Sequence, residues 1–266
     1  GCGPAGLTLA RQLSVFPEIK TCILESNPGP LLFGRADGVS CRTIEIMEAY
    51  NSSELILKES YWLNQISYWD SDSKNHNKIA CTKKVNDPRI GLSEFPHVVL
   101  NQARIHDLLL DGMKNSSSQL EPNYNCELVD IKFNKKIFND PSKFPITATV
   151  LQKKNKKNYK KEISARYIVG CDGARSRVRK KLNIPLIGDS SDSAWGVMDA
   201  LVQTNFPDIR VKCFIKTKHH GSILVIPREG GYLVRLYIEL DELENKKGIS
   251  KENINLDQII ETAKKI

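Results

Sequence analysis

The sequence opens with three glycines whose spacing limits how the first part of the chain can fold. Gly1, Gly3 and Gly6 lie in the string GCGPAG, and the residues PAGLTLARQLSVF have apolar positions at helical spacing with a proline in the first turn. A short apolar string, TCILE, then ends at Glu25, about twenty residues beyond Gly6. This order of turn, helix, strand and acidic residue is typical of a βα unit in a parallel sheet.

Each part of this pattern has a chemical reason. Glycines allow a tight turn and a close approach of the backbone to a pyrophosphate, which the helix N-terminus then faces. The carboxylate of Glu25 can accept hydrogen bonds from ribose hydroxyls. The pattern therefore predicts an adenine dinucleotide, and by itself it does not separate NAD from FAD. A glycine-rich surface turn would account for the glycines, but it would leave the helix and Glu25 unexplained.

Composition and charge argue against several other classes of protein. The 266 residues carry a net charge of +8, much of it in KKNKKNYKK at 153–161, where a solvated hairpin tip is expected between two β-rich strings. Aromatic residues are not interleaved with the other basic residues, so no nucleic-acid partner is expected. No apolar run has the length of a membrane helix, so no membrane partner is expected. The scattered cysteines favour reduced thiols, a cytoplasmic location and no metal site.

Longer strings in the rest of the chain carry a resemblance to a known family. ARYIVGCDGARSRVRKKLNI reads as an apolar strand that runs into Asp172 and Gly173 and is followed by a basic helix. The chain resembles the FAD-dependent aromatic hydroxylases of the p-hydroxybenzoate hydroxylase type. The glycine turn and the pair Asp172-Gly173 match two of the three sequence fingerprints of that family. Over nearly its whole length it resembles the fungal phenol 2-monooxygenase branch, in the strings GRADG, LNQARI, WGVMDALVQTNFPDIR and SILVIPREGGYLVRLYIEL.

The resemblance and the strand pattern together predict an α/β (α+β) fold with two domains. A Rossmann-like FAD-binding domain is expected at residues 1–60 and 98–185. A discontinuous, mostly antiparallel β-sheet domain for the substrate is expected at 61–97 and 186–266, where four β-rich strings follow one another from Trp195. In the family, such a sheet covers the isoalloxazine ring of the flavin.

The resemblance also implies a reaction. A nicotinamide donor, NADPH by the habit of this branch and NADH as the other possibility, reduces FAD, and dioxygen then forms a flavin C4a-hydroperoxide. This species hydroxylates a phenolic ring, which reacts more readily as a phenolate, so a basic group is expected near the phenol hydroxyl. A small phenol and dioxygen are the implied partners, and the full-length enzyme is expected to be a homodimer.

The resemblance assigns three catalytic residues. Asp37 in GRADG matches the active-site aspartate of this branch, although a loop-capping role is the alternative. Arg228 and Tyr237 match the other two positions, and strand alternation favours one face for Arg235 and Tyr237. The hairpin PREGGYLVRLY is one residue longer than in the phenol hydroxylase pattern, so this register could differ.

The implied cofactor contacts are a larger set. Structural alternatives exist for some of them, because Arg42 could form a helix-surface salt bridge, Asp172 with Gly173 could be a simple turn, and the basic helix that contains Arg177 could be a solvated face. The predicted cofactor-binding residues are Gly1, Gly3, Gly6, Glu25, Gly34, Arg35, Gly38, Arg42, Gln102, Asp172 and Arg177.

Some parts of the family pattern are not found in the sequence. The third fingerprint, Gly-Asp followed by Ala-Ala-His, is not present, and neither a first strand nor the C-terminal domain of the branch is seen. We therefore expect a fragment of a longer protein that by itself binds FAD poorly or not at all. The alternatives are another FAD oxidoreductase of the same fold or a truncated, non-catalytic remnant. A halogenase is disfavoured, because no W-x-W-x-I-P string occurs.

Overall fold

The computed structural model describes residues 1–34, 36–75, 78–155, 157–189, 194–240 and 254–266. The chain divides into two compact units, and each is discontinuous in sequence. The first unit is Gly1–Arg35 with Asn101–Gly188, and the second is Ala36–Leu100 with Asp189–Ile266. Over the described ranges, none of the helices is both long and apolar enough to cross a membrane.

Short helices separate runs of consecutive strands along the chain. The helices are α1 Pro4–Leu13, α2 Cys41–Glu48, α3 Ser53–Glu59, α4 Gln102–Lys114, α5 Arg177–Lys181 and α6 Leu256–Lys265, with a 3-10 turn at Lys135–Ile137. The strands are β1 Ile23–Leu24, β2 Gly38–Val39, β3 Tyr61–Leu63, β4 Gln65–Ser71, β5 Ile79–Asn86, β6 His97–Val99, β7 Pro122–Asn123, β8 Cys126–Phe133, β9 Ile146–Lys154, β10 Lys157–Ala165, β11 Trp195–Leu201, β12 Lys212–Thr217, β13 Gly221–Pro227 and β14 Leu233–Glu239.

The first unit contains the predicted glycine turn, helix and strand. Gly3 is the N-cap of α1 and a proline occupies its first turn, as the sequence pattern requires. The helix buries Leu7 and Ala10 and packs against α4, where Gly112 leaves room for the side chain of Arg11. Strand β1 pairs in parallel with β7, and β8, β9 and β10 form a separate antiparallel sheet.

Two local predictions in the first unit differ from the structure. The ladder of β9 and β10 extends into the lysine-rich string, with Lys154 opposite Lys157, so the loop is shorter than the predicted tip. The apolar string before Asp172 is not a strand. Its alternating Tyr167 and Val169 are 77% and 63% exposed, and among the described strands none pairs with residues 166–172. A strand needs a hydrogen-bonding neighbour as well as an apolar pattern.

The second unit is built on a six-stranded sheet with the order β11-β14-β13-β12-β4-β5. All neighbouring strands in it are antiparallel except β12 and β4, so the prediction of a mostly antiparallel sheet is confirmed. One face forms a core that includes Cys213, Val225 and Ile238, and Ile259 of α6 packs against Gly196. Alternation places the neighbouring residues of β14 on the other face.

The division into units differs from the predicted domain boundaries mainly at residues 36–60, and by three residues each at 98–100 and 186–188. Residues 36–60 group with the second unit and not with the first. The reason is a small sheet in the order β2-β6-β3, in which Gly38 pairs with Val99 and Tyr61 pairs with the same residue from the other side. This pairing also draws residues 98–100 into the second unit.

Candidate functional site

The three glycines of the first turn have three different environments. A Cβ on Gly1 would lie 2.5 Å from the carbonyl oxygen of Cys171, and a Cβ on Gly6 would overlap the carbonyl oxygen of Gly1. These two glycines are therefore required by contacts of the turn itself. A Cβ on Gly3 would meet nothing within 4 Å. Since Gly3 stands at the N-terminus of α1, its open side is space that another group can approach.

Glu25 lies beside this turn and is held by hydrogen bonds. Its Oε2 accepts from the backbone N–H of Cys2 at 2.6 Å, and its Oε1 accepts from the backbone and side chain of Asn27, both at 2.8 Å. Burial alone would raise the pKa of Glu25, but the N–H groups of Asn27 and Cys2, the positive charge of the N-terminus and the hydroxyl of Ser26 together lower it. The carboxylate is therefore anionic, and Oε2 retains a lone pair for one further donor.

Asp172 also lies at the turn, because its neighbour Cys171 contacts Gly1. Its Oδ2 accepts from the backbone N–H groups of Arg177 at 2.6 Å and Val178 at 3.1 Å, at the start of α5. Burial opposes ionisation, but the hydroxyl of Ser176 and these N–H groups lower the pKa of Asp172. Asp172 therefore orders the segment between the turn and α5.

Arg177 makes contacts that account for its position without a ligand. Its NH2 lies 2.6 Å from Oε1 of Glu127 on β8, and its NH1 donates to the carbonyl of Leu128 at 3.4 Å. The side chain is about half exposed. The ion pair joins α5 to the antiparallel sheet of the first unit.

Gly34 and Gln102 are brought into direct contact in the first unit. A Cβ on Gly34 would overlap the side chain of Gln102, the first residue of α4. One turn later on α4, the buried His106 hydrogen-bonds to the backbone of Cys2, which joins α4 to the glycine turn. Burial lowers the pKa of His106, so its ring is neutral there. The sequence patterns did not single out His106.

In the second unit, Asp37 lies at the centre of a buried charge cluster. It immediately precedes β2, and its carbonyl accepts from the N–H of Leu100 at 2.9 Å. Its Oδ2 lies 2.8 Å from NH1 of Arg228 and 3.0 Å from NH1 of Arg235, at ion-pair distance without the alignment of a hydrogen bond. Asp37 is 5% exposed and Arg228 is 2% exposed. Asp37 therefore forms buried ion pairs in place of the loop cap considered from sequence.

Arg228 is positioned by the hairpin that follows β13. Its N–H donates to the carbonyl of Leu233 at 2.9 Å, and Arg210 donates to the carbonyls of both residues. Its guanidinium binds Glu229 through Nε at 3.0 Å and NH2 at 2.7 Å. This leaves NH1 directed at Asp37, so the hairpin fixes the cation of this ion pair.

Arg235 and Asp199 complete the cluster, and the sequence patterns gave neither of them a role. Both residues lie on neighbouring strands, β14 and β11, and are directly paired in the ladder. Nε and NH2 of Arg235 donate to the two oxygens of Asp199 at 2.7 and 2.8 Å. Arg235 also hydrogen-bonds to the side chain of Tyr237, two residues along the strand and on the same face, as alternation predicts.

Burial and charge act against each other at Asp37. Burial raises the pKa of this carboxyl, the cations of Arg235 and Arg228 lower it, and the anions of Glu229 and Asp199 raise it again. Burial is the largest of these effects, and the net result is a raised pKa. The carboxyl at this position therefore exchanges a proton at higher pH than an exposed aspartate does.

Three predicted cofactor-binding residues remain, namely Gly38, Arg42 and Arg35. Gly38 follows Asp37, and a Cβ there would lie 3.4 Å from Nε2 of His97. Arg42 is 80% exposed and forms an ion pair at 2.7 Å with Glu45 on the same helix, which is the surface arrangement that the sequence left open. Arg35 lies outside the described residues.

Comparisons with known proteins give these two sites a context. A family model described as an FAD binding domain matches residues 1–266, and the chain belongs to this family of FAD-binding flavoproteins. The chain is 47% identical over 267 residues to a 3-hydroxybenzoate 4-monooxygenase of Comamonas testosteroni, covering 100% of the chain and 41% of that protein. It is 31% identical over 267 residues to a phenol 2-monooxygenase of Aspergillus fumigatus, with coverage of 100% and 42%.

Solved structures agree with this assignment at the level of the fold. The p-nitrophenol 4-monooxygenase of Pseudomonas putida superposes with a TM-score of 0.74 at 16% identity, over 99% of the chain and 59% of that protein. An aklavinone-11 hydroxylase, solved with FAD and aklavinone, gives a TM-score of 0.70 at 17% identity, over 100% and 49%. The chain spans about two fifths of the length of these two relatives from Comamonas testosteroni and Aspergillus fumigatus.

The residues of the first unit fit FAD by their geometry. Open space beside Gly3 at the N-terminus of α1 suits a pyrophosphate, which needs close backbone N–H groups. The anionic Glu25 has an acceptor position left on Oε2, which suits a ribose hydroxyl. Both features lie at the glycine turn, Gly3 within it and Glu25 beside it, as the sequence pattern indicated.

Proposed function

We propose that the protein takes part in the hydroxylation of a phenolic ring, with FAD as its cofactor and with a nicotinamide donor and dioxygen as co-substrates. Membership of the FAD-binding family and the names of its aromatic hydroxylase relatives support this proposal. The observation that carries it is Asp37, a buried carboxyl with a raised pKa beside a buried arginine.

FAD would be held mainly by the first unit. Gly3 and the N-terminus of α1 would contact the pyrophosphate, and Glu25 would accept from the ribose. Gly1, Gly6 and Asp172 would shape the turn from behind, and Gln102 would contact the flavin from the start of α4. When bound, FAD supplies the reaction with dioxygen and the oxygen that is transferred, and the residues of the chain bind, orient and exchange protons.

Arg35 and Arg177 would make accessory contacts with the same cofactor. The ion pair of Arg177 with Glu127 would have to be shared or exchanged for that purpose. Gly34 would allow α4 to lie close to the flavin. Gly38, the neighbour of Asp37, would allow the flavin to approach the backbone there. Arg42 would approach the pyrophosphate only if it left its surface partner Glu45.

Asp37 would act on the hydroxyl of the phenol. Its raised pKa brings the carboxylate closer in basicity to the reacting phenol than an ordinary aspartate, which favours proton transfer in the transition state. Arg228, whose NH1 faces the same carboxylate, would stabilise the negative charge that develops on the phenol oxygen. Tyr237 would orient this oxygen through its hydroxyl.

The names of the relatives suggest which substrates to test, and the donor is the one that the family resemblance implies. The relative at 47% identity is named for 3-hydroxybenzoate, so a hydroxybenzoate is the first substrate to test, with simple phenols second. NADPH is the proposed donor and NADH is the alternative. If the intact protein, loaded with FAD, formed no hydroxylated product from any of these phenols with either donor, the proposed function would be wrong.

The role of Asp37 is tested by Asp37→Asn in the intact protein. We expect FAD affinity within about twofold of the wild type, hydroxylation slowed at least tenfold, and a larger share of donor oxidation ending as hydrogen peroxide. Donor consumption, product and peroxide are measured together. Asp208→Asn is the matched control, since Asp208 is also a buried carboxylate of the second unit but is bonded to Trp69 and Lys84. Unchanged coupling in Asp37→Asn would remove Asp37 from the mechanism.

A further inference from the structure

We propose that Arg235 and Asp199 are positioning residues, in which Asp199 fixes the guanidinium of Arg235 and Arg235 in turn fixes Asp37 and Tyr237. This inference rests on the proposed function, because it concerns the residues that would meet the phenol. It adds two side chains that neither the sequence patterns nor the family resemblance had assigned.

The first step is the connection between Asp199 and Arg235. The two residues face each other across the ladder of β11 and β14, and two nearly parallel N–H···O contacts of 2.7 and 2.8 Å join them. A planar guanidinium bound along one edge by a carboxylate has a fixed orientation. The strand register therefore decides where the remaining nitrogen of Arg235 lies.

The second step is what that remaining nitrogen contacts. NH1 of Arg235 lies 3.0 Å from Oδ2 of Asp37, and the same side chain hydrogen-bonds to Tyr237. A guanidinium can only donate, so the Tyr237 oxygen accepts and its own O–H is left to donate to a ligand. One side chain thus links two of the three predicted catalytic residues.

The third step separates Arg235 from Arg228. Arg228 contacts the same Asp37 oxygen, but its main partner is its chain neighbour Glu229, and its NH1 is 3.4 Å from either oxygen of Asp199. Asp199 therefore binds Arg235 more closely than it binds Arg228. Loss of Asp199 is expected to act through Arg235.

The direction in which the pKa of Asp37 changes can distinguish two possible roles of Asp199. Two guanidiniums face three carboxylates in the cluster, so Asp199 could also act only as one more negative charge near Asp37. In that case, Asp199→Asn would lower the pKa of Asp37, because it removes a repelling anion. If Asp199 positions Arg235, the released guanidinium turns away from Asp37, and the pKa of Asp37 rises as it does in Arg235→Gln.

The experiment measures the protonation of Asp37 directly in the intact protein. Infrared difference spectra of each protein against the same protein carrying Asp37→Asn give the pH midpoint of this carboxyl. We expect Arg235→Gln and Asp199→Asn each to raise the midpoint by about one pH unit, a tenfold change in the proton equilibrium, and the double variant to go no further than Arg235→Gln. Asp208→Asn is the control and leaves the midpoint unchanged.

A second variant of Arg235 provides the test if Arg235→Gln does not fold. Arg235→Lys keeps the charge but cannot bind Asp199 along an edge and reach Asp37 at once, so a smaller rise of the same sign is expected. A lower midpoint in Asp199→Asn, or independent effects in the double variant, would overturn the positioning role. The infrared measurement needs no turnover, so its failure is distinct from a failure of the wild type to hydroxylate any phenol.

Discussion

The two units hold a buried carboxylate in opposite ways. In the first unit, Glu25 is bound by backbone N–H groups at 2.6 and 2.8 Å, and its pKa is lowered. In the second unit, Asp37 has two arginines at 2.8 and 3.0 Å, yet its pKa is raised. The difference teaches that nearby cations do not guarantee a stable anion where burial, the largest effect on the pKa of Asp37, outweighs them.

This difference matches the two proposed tasks. A carboxylate that recognises ribose hydroxyls must stay ionised, and the backbone N–H groups of Asn27 and Cys2 are the largest of the effects that favour the ionised form of Glu25. A group that exchanges a proton with a phenol benefits from a pKa nearer to that of its reaction partner. The first site is built largely from backbone, and the second is built from side chains of separate strands.

The largest change in stability is expected at a contact between two backbone segments of the glycine turn. Gly6→Ala places a methyl group on the carbonyl oxygen of Gly1, and neither atom can move without distorting the turn. We expect a loss of about 3 kcal/mol in the free energy of unfolding and loss of FAD binding. Gly38→Ala in the second unit meets only Nε2 of His97 at 3.4 Å, so a change below about 1 kcal/mol is expected. Thermal unfolding and FAD titration of both variants measure the contrast.

Gly3→Ala is the control for this prediction. Its methyl group meets nothing within 4 Å, so the stability of the FAD-free protein should not change while FAD affinity falls at least tenfold. Equal damage by Gly3→Ala and Gly6→Ala in the FAD-free protein would contradict the division of roles among the glycines.

These glycines show which part of the site the sequence could predict. The turn, α1 and Glu25 are close in the chain, so spacing alone identified them. Asp37, Arg228 and Tyr237 came from the resemblance, because their meeting depends on a hairpin and on strands distant in sequence. The pair of Asp199 with Arg235 depends on the register of β11 and β14, which no local pattern fixes. The string at 166–172 had the pattern of a strand but, among the described residues, no pairing strand.

A change of intermediate size in the free energy of unfolding is expected at Glu25. Its dependence on pH should have the opposite sign to that at Asp37. The lowered pKa of Glu25 means that its ionised form stabilises the fold above its ordinary pKa, and that this contribution is lost as pH falls through the folded value. Glu25→Gln should therefore cost about 2 kcal/mol at pH 7 and progressively less below about pH 4.

Asp37 should behave in the opposite sense. Its raised pKa means that the fold favours the protonated form, and this contribution is lost as pH rises from the ordinary value toward the folded one. Relative to the wild type, Asp37→Asn should gain stability as pH rises from about 4 to 7. Urea unfolding of both variants across this range measures the two slopes. Slopes of the same sign would break the comparison between the two carboxylates.

The smallest effect is expected at Arg42. Its ion pair with Glu45 joins an 80% exposed side chain to a neighbour on the same helix, so water and salt screen most of the attraction. Arg42→Ala should change the free energy of unfolding by less than about 0.5 kcal/mol, and about 1 M salt should remove even this difference. The same variant tests the predicted cofactor contact, because a role with the pyrophosphate would weaken FAD binding at low salt without changing stability. If FAD affinity is unchanged, Arg42 is a surface residue and the cofactor site in the first unit depends on Gly3 and Glu25 without it.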